Sequence, residues 1–297
     1  MTEENKTPEI VEGEFNDGTG PEVAALPKEK LRIAITGDNY LAIASENAFD
    51  PKIAEVIRYD TGNLAAMYEF KPAVVFVCDD VPLLKNESLD DANLIAMIQN
   101  VAQNTQGGVC LKTTINTETL ERIIGVVGPE WSNGKLVYSP EFSENVEGVL
   151  TSDITYVGGA PKALDAYLGI IKHATYFSTK ELVKGTVAEV IYAKLGVSGF
   201  KAVKQAYFNQ LHQVVLDLEG ANPTIVRRMI EKHPALTDRR LMVPAFIKAK
   251  SDPDSTVKLA RSYMGEYGNK DVKMLVGQSD RITVLEEAIN LRNLKED

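Results

Sequence analysis

The first residues whose types and order promise chemistry stand at the end of an apolar run. Ile33-Ala34-Ile35-Thr36 leads directly into Gly37-Asp38-Asn39-Tyr40-Leu41-Ala42. A strand that ends in a glycine and turns at once into a helix presents backbone N–H groups and a positive helix end to an anion. Dinucleotide-binding turns place glycine at three points, for the turn itself, for the approach of the pyrophosphate, and for helix–strand packing. Here Gly37 supplies the first, Asn39 stands at the second and Ala42 at the third. Alanine is tolerated at the third point. Asn39 tolerates a left-handed backbone, but its side chain projects where the pyrophosphate would lie. An acid, Asp60, follows the next strand at about the distance expected for a contact to ribose hydroxyls. Gly37, Asn39, Tyr40, Leu41 and Asp60 are therefore the candidate residues for an NAD cofactor. A turn of the same shape that no longer holds a dinucleotide suits these residues equally well.

Other reactive side chains carry less. His173, His212 and His233 show no mutual spacing for a metal or a triad, and no metal is expected. The two cysteines, Cys78 and Cys110, form neither a disulfide framework nor a metal pair, which favours a reducing, cytoplasmic setting. Arg227-Arg228 and Arg239-Arg240 could read a phosphate, though such pairs are more often solvated helix ends. Trp131 lies in a polar stretch that reads as a loop, where it is either a contact residue or, the favoured reading, a packing plug. The net charge of −10 argues against broad nucleic-acid binding. No apolar run is long enough for a membrane span, so no membrane partner is expected.

The elements that must position these residues alternate. Strand-like runs at 31–36, 55–59, 73–78, 108–111, 135–138 and 154–157 are separated by helical periods at 41–49, 89–103, 117–127 and 161–173. That alternation predicts an α/β fold with a mostly parallel sheet covered on both faces. From 181 to 219 the strand signal and proline disappear, which predicts one long helix or two abutting ones. Asn222-Pro223 marks a new helix start, and helices are expected at 224–231, 255–267 and 271–293. The chain divides into an acidic tail over 1–29, an α/β domain over 30–178 and an all-helical domain over 179–297. The tail buries too little apolar surface to fold alone. A short docking peptide for a protein partner, around Ile10–Phe15, is the second reading of it.

Several segments taken in order carry a family resemblance. Lys112-Thr113-Thr114-Ile115 resembles a Lys-Ser-Thr-Val segment, and Tyr138-Ser139-Pro140-Glu141-Phe142 a Pro-Glu-Phe segment. Val157-Gly158-Gly159 looks like the end of a last Rossmann strand. Lys194-Leu195, Ser198, Phe200, Ala202, Lys204 and Asn209 follow the order of a central helix, and Lys270-Asp271-Val272-Lys273 matches a Lys-Asp-Thr-Lys stretch. Together these resemble the UDP-glucose dehydrogenase family of nucleotide-sugar dehydrogenases. The resemblance implies a Rossmann-like, mostly parallel domain followed by a 6-phosphogluconate-dehydrogenase-like helical domain. It also implies NAD, a nucleotide-sugar substrate and a homodimer paired through the long helix. In that family a cysteine traps an aldehyde, while a lysine and an asparagine stabilise the oxyanion. A threonine, a glutamate and an aspartate position water. Carried across, the catalytic candidates are Lys194, Thr114, Glu141 and Asp271, with Ser198 where the asparagine belongs. A cation beside a developing oxyanion and a carboxylate beside water both make chemical sense.

The departures weigh against simple transfer of activity. Met264-Gly265-Glu266-Tyr267-Gly268-Asn269 holds no thiol where the family has its cysteine, and covalent trapping needs such a nucleophile. The family's third domain has no counterpart in this sequence, and the crossover between Asp60 and Lys71 is short. Two functions are expected on these grounds. One is a dehydrogenase-like protein whose oxidation of a sugar nucleotide is lost or altered. The other is a non-catalytic structural subunit built on the same scaffold. For the individual residues the plain alternatives are a solvated Lys194, a helix-capping Thr114 and a structurally hydrogen-bonded Glu141.

Overall fold

The apolar runs pair into one seven-stranded sheet. The structure is a computed structural model and describes residues 29–59, 64–86, 88–143, 145–174, 181–233 and 265–277. Residues 1–28 of the acidic tail, Asp60, Arg239-Arg240 and the helices expected over 255–264 and 278–293 lie outside the described residues. Strands β1 (Leu31–Thr36), β2 (Ala54–Tyr59), β3 (Val74–Val77), β4 (Gly108–Leu111), β5 (Leu136–Tyr138), β6 (Ile154–Gly159) and β7 (Glu181–Gly185) lie in the order β2-β1-β3-β4-β5-β6-β7. The first five are mutually parallel. β6 is antiparallel to β5, with Val137 opposite Gly159, and β7 is parallel to β6. The chain is thus an α/β protein with a Rossmann-like, mostly parallel sheet.

Each parallel strand needs a crossover, and helices supply the cover. α1 (Tyr40–Asn47), α2 (Leu64–Phe70), α3 (Ala92–Asn104), α4 (Thr117–Val127), α5 (Pro129–Lys135), α6 (Val146–Thr151) and α7 (Pro161–Ile171) come before β7. α8 (Val187–Leu216), α9 (Pro223–Glu231) and α10 (Gly265–Gly277) follow it. Strand alternation sorts the core. Val75, Val77, Leu111 and Tyr138 face α3, α4, α8 and α10, packing on Ile98, Ile123, Ile191, Leu195 and Met274. Phe76, Cys78, Cys110 and Val137 face α1, α6 and α7, packing on Leu41, Val149, Tyr167 and Ile171. All four residues of β3 are buried, as expected of a strand covered on both faces. Trp131 packs against the first of these cores, as expected of a plug, but it does so from helix α5 and not from the loop that its polar neighbours suggested.

Local chemistry fixes the helix starts. The Asn222 side chain accepts from Thr224 N and Pro223 takes the first turn, as the Asn-Pro signal predicts. Asn116 caps α4 by accepting from Thr119 N, so the capping reading of Thr114 is displaced by its neighbour two residues on.

The structure corrects the sequence reading in three places. Residues 181–185 form β7 instead of the start of the long helix, so α8 begins at Val187. The strand is five residues long with Glu181 exposed, and its register against Ile154–Gly158 comes from tertiary pairing. Gly158 permits this, because a Cβ there would lie 2.7 Å from Thr186 O and 2.8 Å from Val187 Cα at the turn into α8. α10 runs unbroken from Gly265 to Gly277 where a break was expected between 267 and 271. Finally, α2, α5 and α6 are six or seven residues each, too short to show a helical period. Among the described residues, β1 has one strand, β2, on its outer side, whereas the six-stranded dinucleotide order places two there. No helix among the described residues is long and apolar enough to cross a membrane.

Candidate functional site

Three polar groups gather at the C-terminal ends of the strands and on the helices above them. The first lies between α8 and α10. Lys194 and Ser198 are four residues apart on α8, hence on one face of the helix. Ser198 Oγ donates to Asp271 Oδ2 at 2.7 Å, and Lys194 Nζ lies 3.3 Å from the same oxygen. The Asp271 side chain is 1% exposed and that of Lys194 12%. Lys194 Nζ also lies 5.1 Å from the centre of the Phe142 ring, a cation–π contact that helps hold the amine in place. Asp271 Oδ1 is buried with no hydrogen-bond partner among the described residues. Tyr138 approaches from β5. Burial pushes its hydroxyl far above the usual tyrosine range and the Asp271 charge adds to this; the hydroxyl is buried with no hydrogen-bond partner among the described residues. The neighbouring Lys270 is 8% exposed and donates to Val81 O at 2.8 Å, tying α10 to the loop after β3.

The second group is an ion pair on the other side of the strand ends. Lys112, just past β4, lies 2.6 Å from Glu141 Oε1, just past β5. Both side chains are largely buried, and with Ser45, Phe49, Phe76 and Tyr167 they line a cavity of about 10 Å³. That is about the space of a single water. Glu141 is thereby engaged with Lys112. Thr114 is half-buried in the loop before α4, and among the described residues no side-chain hydrogen bond joins it to either group. Of the five catalytic candidates, the structure brings together Lys194, Ser198 and Asp271.

The third group is the turn after β1. Asn39 Oδ1 accepts from Leu41 N at 2.9 Å and from Ala42 N at 3.2 Å. Its amide nitrogen donates to Cys78 O at 2.5 Å and to Asp80 Oδ1 at 3.2 Å. Thr36 Oγ1 donates to Asp79. Burial holds the Asp79 carboxyl above the usual carboxylate range; the Thr36 hydrogen bond opposes this, and the nearby Asp80 and Asp38 charges reinforce it. Gly37 has φ +92°, and a Cβ there would meet Cys78 C at 2.9 Å. Tyr40 reaches across to donate to Ser143 O at 2.9 Å, and Leu41 is buried. The two helix amides that would meet a pyrophosphate here are already satisfied by Asn39.

Both cysteines are fully buried on the α1/α7 face. Burial pushes the Cys78 thiol up to about 12 and the Cys110 thiol up to about 11, against a smaller opposing effect of the Lys112 charge on each. Among the described residues no group of three His, Cys, Asp or Glu side chains could hold a metal.

The sequence did not single out Asp79 or Asp80, and it marked Lys112 and Lys270 only as members of matched segments, without their pairing to Glu141 and Val81. One signal was available for the aspartates: they directly follow a fully apolar strand, and the C-terminal ends of parallel strands are where such sheets place ligands. Lys270 stands in the Lys-Asp-Val-Lys stretch that carries the resemblance, but nothing local pairs it with Val81, 189 residues away.

No family model matches the sequence, and no curated protein matches it. Solved structures do. UDP-D-ManNAc dehydrogenase from Pyrococcus horikoshii superposes with a TM-score of 0.66 at 16% identity, over 88% of this chain and 68% of that one. A UDP-glucose dehydrogenase from Pyrobaculum islandicum gives 0.67 at 13%, over 93% and 70%. NDP-N-acetyl-D-galactosaminuronic acid dehydrogenase from Methanosarcina mazei Go1 gives 0.63 at 16%, over 89% and 66%. The chain therefore spans about two thirds of each neighbour, and what it shares with these nucleotide-sugar dehydrogenases is their fold, a dehydrogenase-like scaffold.

Proposed function

We propose that this chain is a dehydrogenase-like protein in which oxidation of a sugar nucleotide is lost or altered. The observation that carries the reading is the placement of its thiols. Oxidation of an alcohol through a trapped aldehyde needs a nucleophile beside the oxyanion-stabilising cation. Lys194 and Asp271 lie on the α8/α10 side of the sheet, while Cys78 and Cys110 are sealed in the opposite core with their thiols protonated. Lys194 is neutralised by Asp271, and Glu141 by Lys112. The charges that would serve an oxyanion and a water are spent on holding α8 to α10 and β4 to β5. The test is oxidation of UDP-glucose by the full chain with NAD, followed by nicotinamide absorbance and by mass analysis of the sugar product. The expected result is no uronic acid. Formation of the acid, with two reduced nicotinamides per sugar, would overturn the proposal.

The alternative role, a structural subunit, is favoured by one further observation. Phe200, Tyr207 and Val214 recur at seven-residue intervals on α8 and are 51%, 58% and 59% exposed. An apolar stripe at that spacing suits a helix-pairing face. The homodimer implied by the resemblance would bury it, and scaffold and assembly would then be the function that the fold retains.

A further inference from the structure

We infer that the crevice between the C-terminal ends of β1 and β3 turns away the pyrophosphate of a dinucleotide, and that the turn serves instead as a latch joining α1, β3 and α10. The inference is independent of the thiol argument, since loss of a nucleophile does not by itself remove a cofactor site.

The crevice is where the sheet order reverses between β2 and β3 on either side of β1, the place an open α/β sheet offers a ligand. Anion binding there depends on helix amides left without partners. In this chain Asn39 Oδ1 takes Leu41 N and Ala42 N, and the next amide, Ile43 N, bonds Asn39 O within the helix. A phosphate could reach these donors only if Asn39 swung out. It would then abandon both amides as well as Cys78 O and Asp80. The charge is also of the wrong sign. Asp38, Asp79 and Asp80 lie close enough together for the two outer charges to raise the Asp79 carboxyl. A pyrophosphate would enter against three carboxylates.

The retained glycine does not argue for a cofactor. Gly37 is required because its φ of +92° and the Cys78 backbone 2.9 Å from a Cβ position leave room for nothing larger. Its task is close packing of the turn on the end of β3. The contacts continue outward, for Lys270 on α10 donates to Val81 O in the loop that carries Asp79 and Asp80. Asn39 and Lys270 thus grip that loop from two sides.

The test uses the full chain, with NADH and ADP-ribose as probes, titrated by nicotinamide fluorescence and calorimetry. The wild-type chain should show no saturable binding into the millimolar range. A variant combining Asn39→Gly with Asp80→Asn frees the amides and removes one charge. It should bind NADH saturably, at least on the order of tenfold more tightly than the limit set by the wild type. A folded variant that still fails to bind would refute closure by Asn39 and Asp80 as the cause. Hydrogen exchange of the wild-type backbone over residues 37–42, with and without NADH, decides the matter even if the variant does not fold. Unchanged protection supports the latch. New protection, or saturable wild-type binding below millimolar, overturns it.

Discussion

Replacing Lys194 with methionine tests whether the α8–α10 contact is held by a buried charge pair. Removing one member of a buried pair typically costs about 3–5 kcal/mol, because the survivor stays buried without compensation. Asp271 is 1% exposed but keeps the Ser198 hydrogen bond, and Lys194 is itself 12% exposed, so the low end, ~3 kcal/mol, applies. For a chain of this size that corresponds to a fall of about 6–12 °C in melting temperature. The reverse change, Asp271→Asn, removes the deeper charge. The asparagine oxygen still accepts from Ser198, and Lys194 can move its ammonium towards solvent, so the cost should be only ~1 kcal/mol. The order of the two variants follows from the difference in burial, and a double-mutant cycle should return a coupling of ~2 kcal/mol. Urea unfolding followed by far-ultraviolet circular dichroism measures all four proteins. A Lys194→Met loss below about 0.5 kcal/mol, the scale of an ordinary surface change, would refute the buried-pair argument. So would an Asp271→Asn variant less stable than Lys194→Met.

Four further outcomes are expected. Neither Cys78 nor Cys110 should react with a thiol reagent at pH 8 in the folded chain, since both thiols titrate far above that pH; rapid labelling without loss of structure would contradict their burial. Gly37→Ala should destabilise the fold by about 2–3 kcal/mol, because the new methyl would lie 2.9 Å from Cys78 C at positive φ; a neutral result in thermal melts would show that the turn can relax. The Asp79 carboxyl is raised in the folded state, so the native chain holds that proton more tightly than the unfolded one, and stability falls as pH rises from the ordinary carboxylate range through the raised value. Asp79→Asn should flatten that slope in urea titrations run at a series of pH values, and an unchanged slope would assign it elsewhere. If the exposed α8 stripe pairs two copies, as proposed, Phe200→Asp with Tyr207→Asp should turn that dimer into a monomer in light scattering; a wild-type monomer, or a dimer that persists in the variant, would refute pairing through α8.

The centre of the sheet was legible because β3, β4 and β5 are buried almost throughout and so read as unbroken apolar runs. Val74–Val77 and Gly108–Leu111 needed no tertiary information. β7 was not legible, because an edge strand with charged residues at 181 and 184 owes its form to β6 and not to its own pattern. The site shows the same division. Lys194 and Ser198 meet because four residues make one helical turn, and that is visible in sequence. Their meeting with Asp271 depends on α10 folding back over α8, which only the family resemblance suggested. Lys112–Glu141 escaped because neither local pattern nor helical spacing pairs the ends of two adjacent strands. Asn39 was legible as an anomaly, but its four hydrogen bonds were not, since two of their acceptors belong to the loop after β3.

The link from Lys270 to Val81 spans 189 residues, and it sets an order of events during synthesis. Met274 and Leu275 complete the core beneath α8, so that core cannot close until the end of α10 has left the ribosome. A nascent chain arrested after Leu216 would present the faces of Leu195 and Ile191 uncovered, beside a Ser198 lacking its acceptor. The sheet and α1–α7 can form early from contacts between neighbouring segments. The docking of α10 must close the longest loop in the described fold, the slow kind of step in folding. Stalled or truncated products of this chain should therefore be the species that chaperones hold.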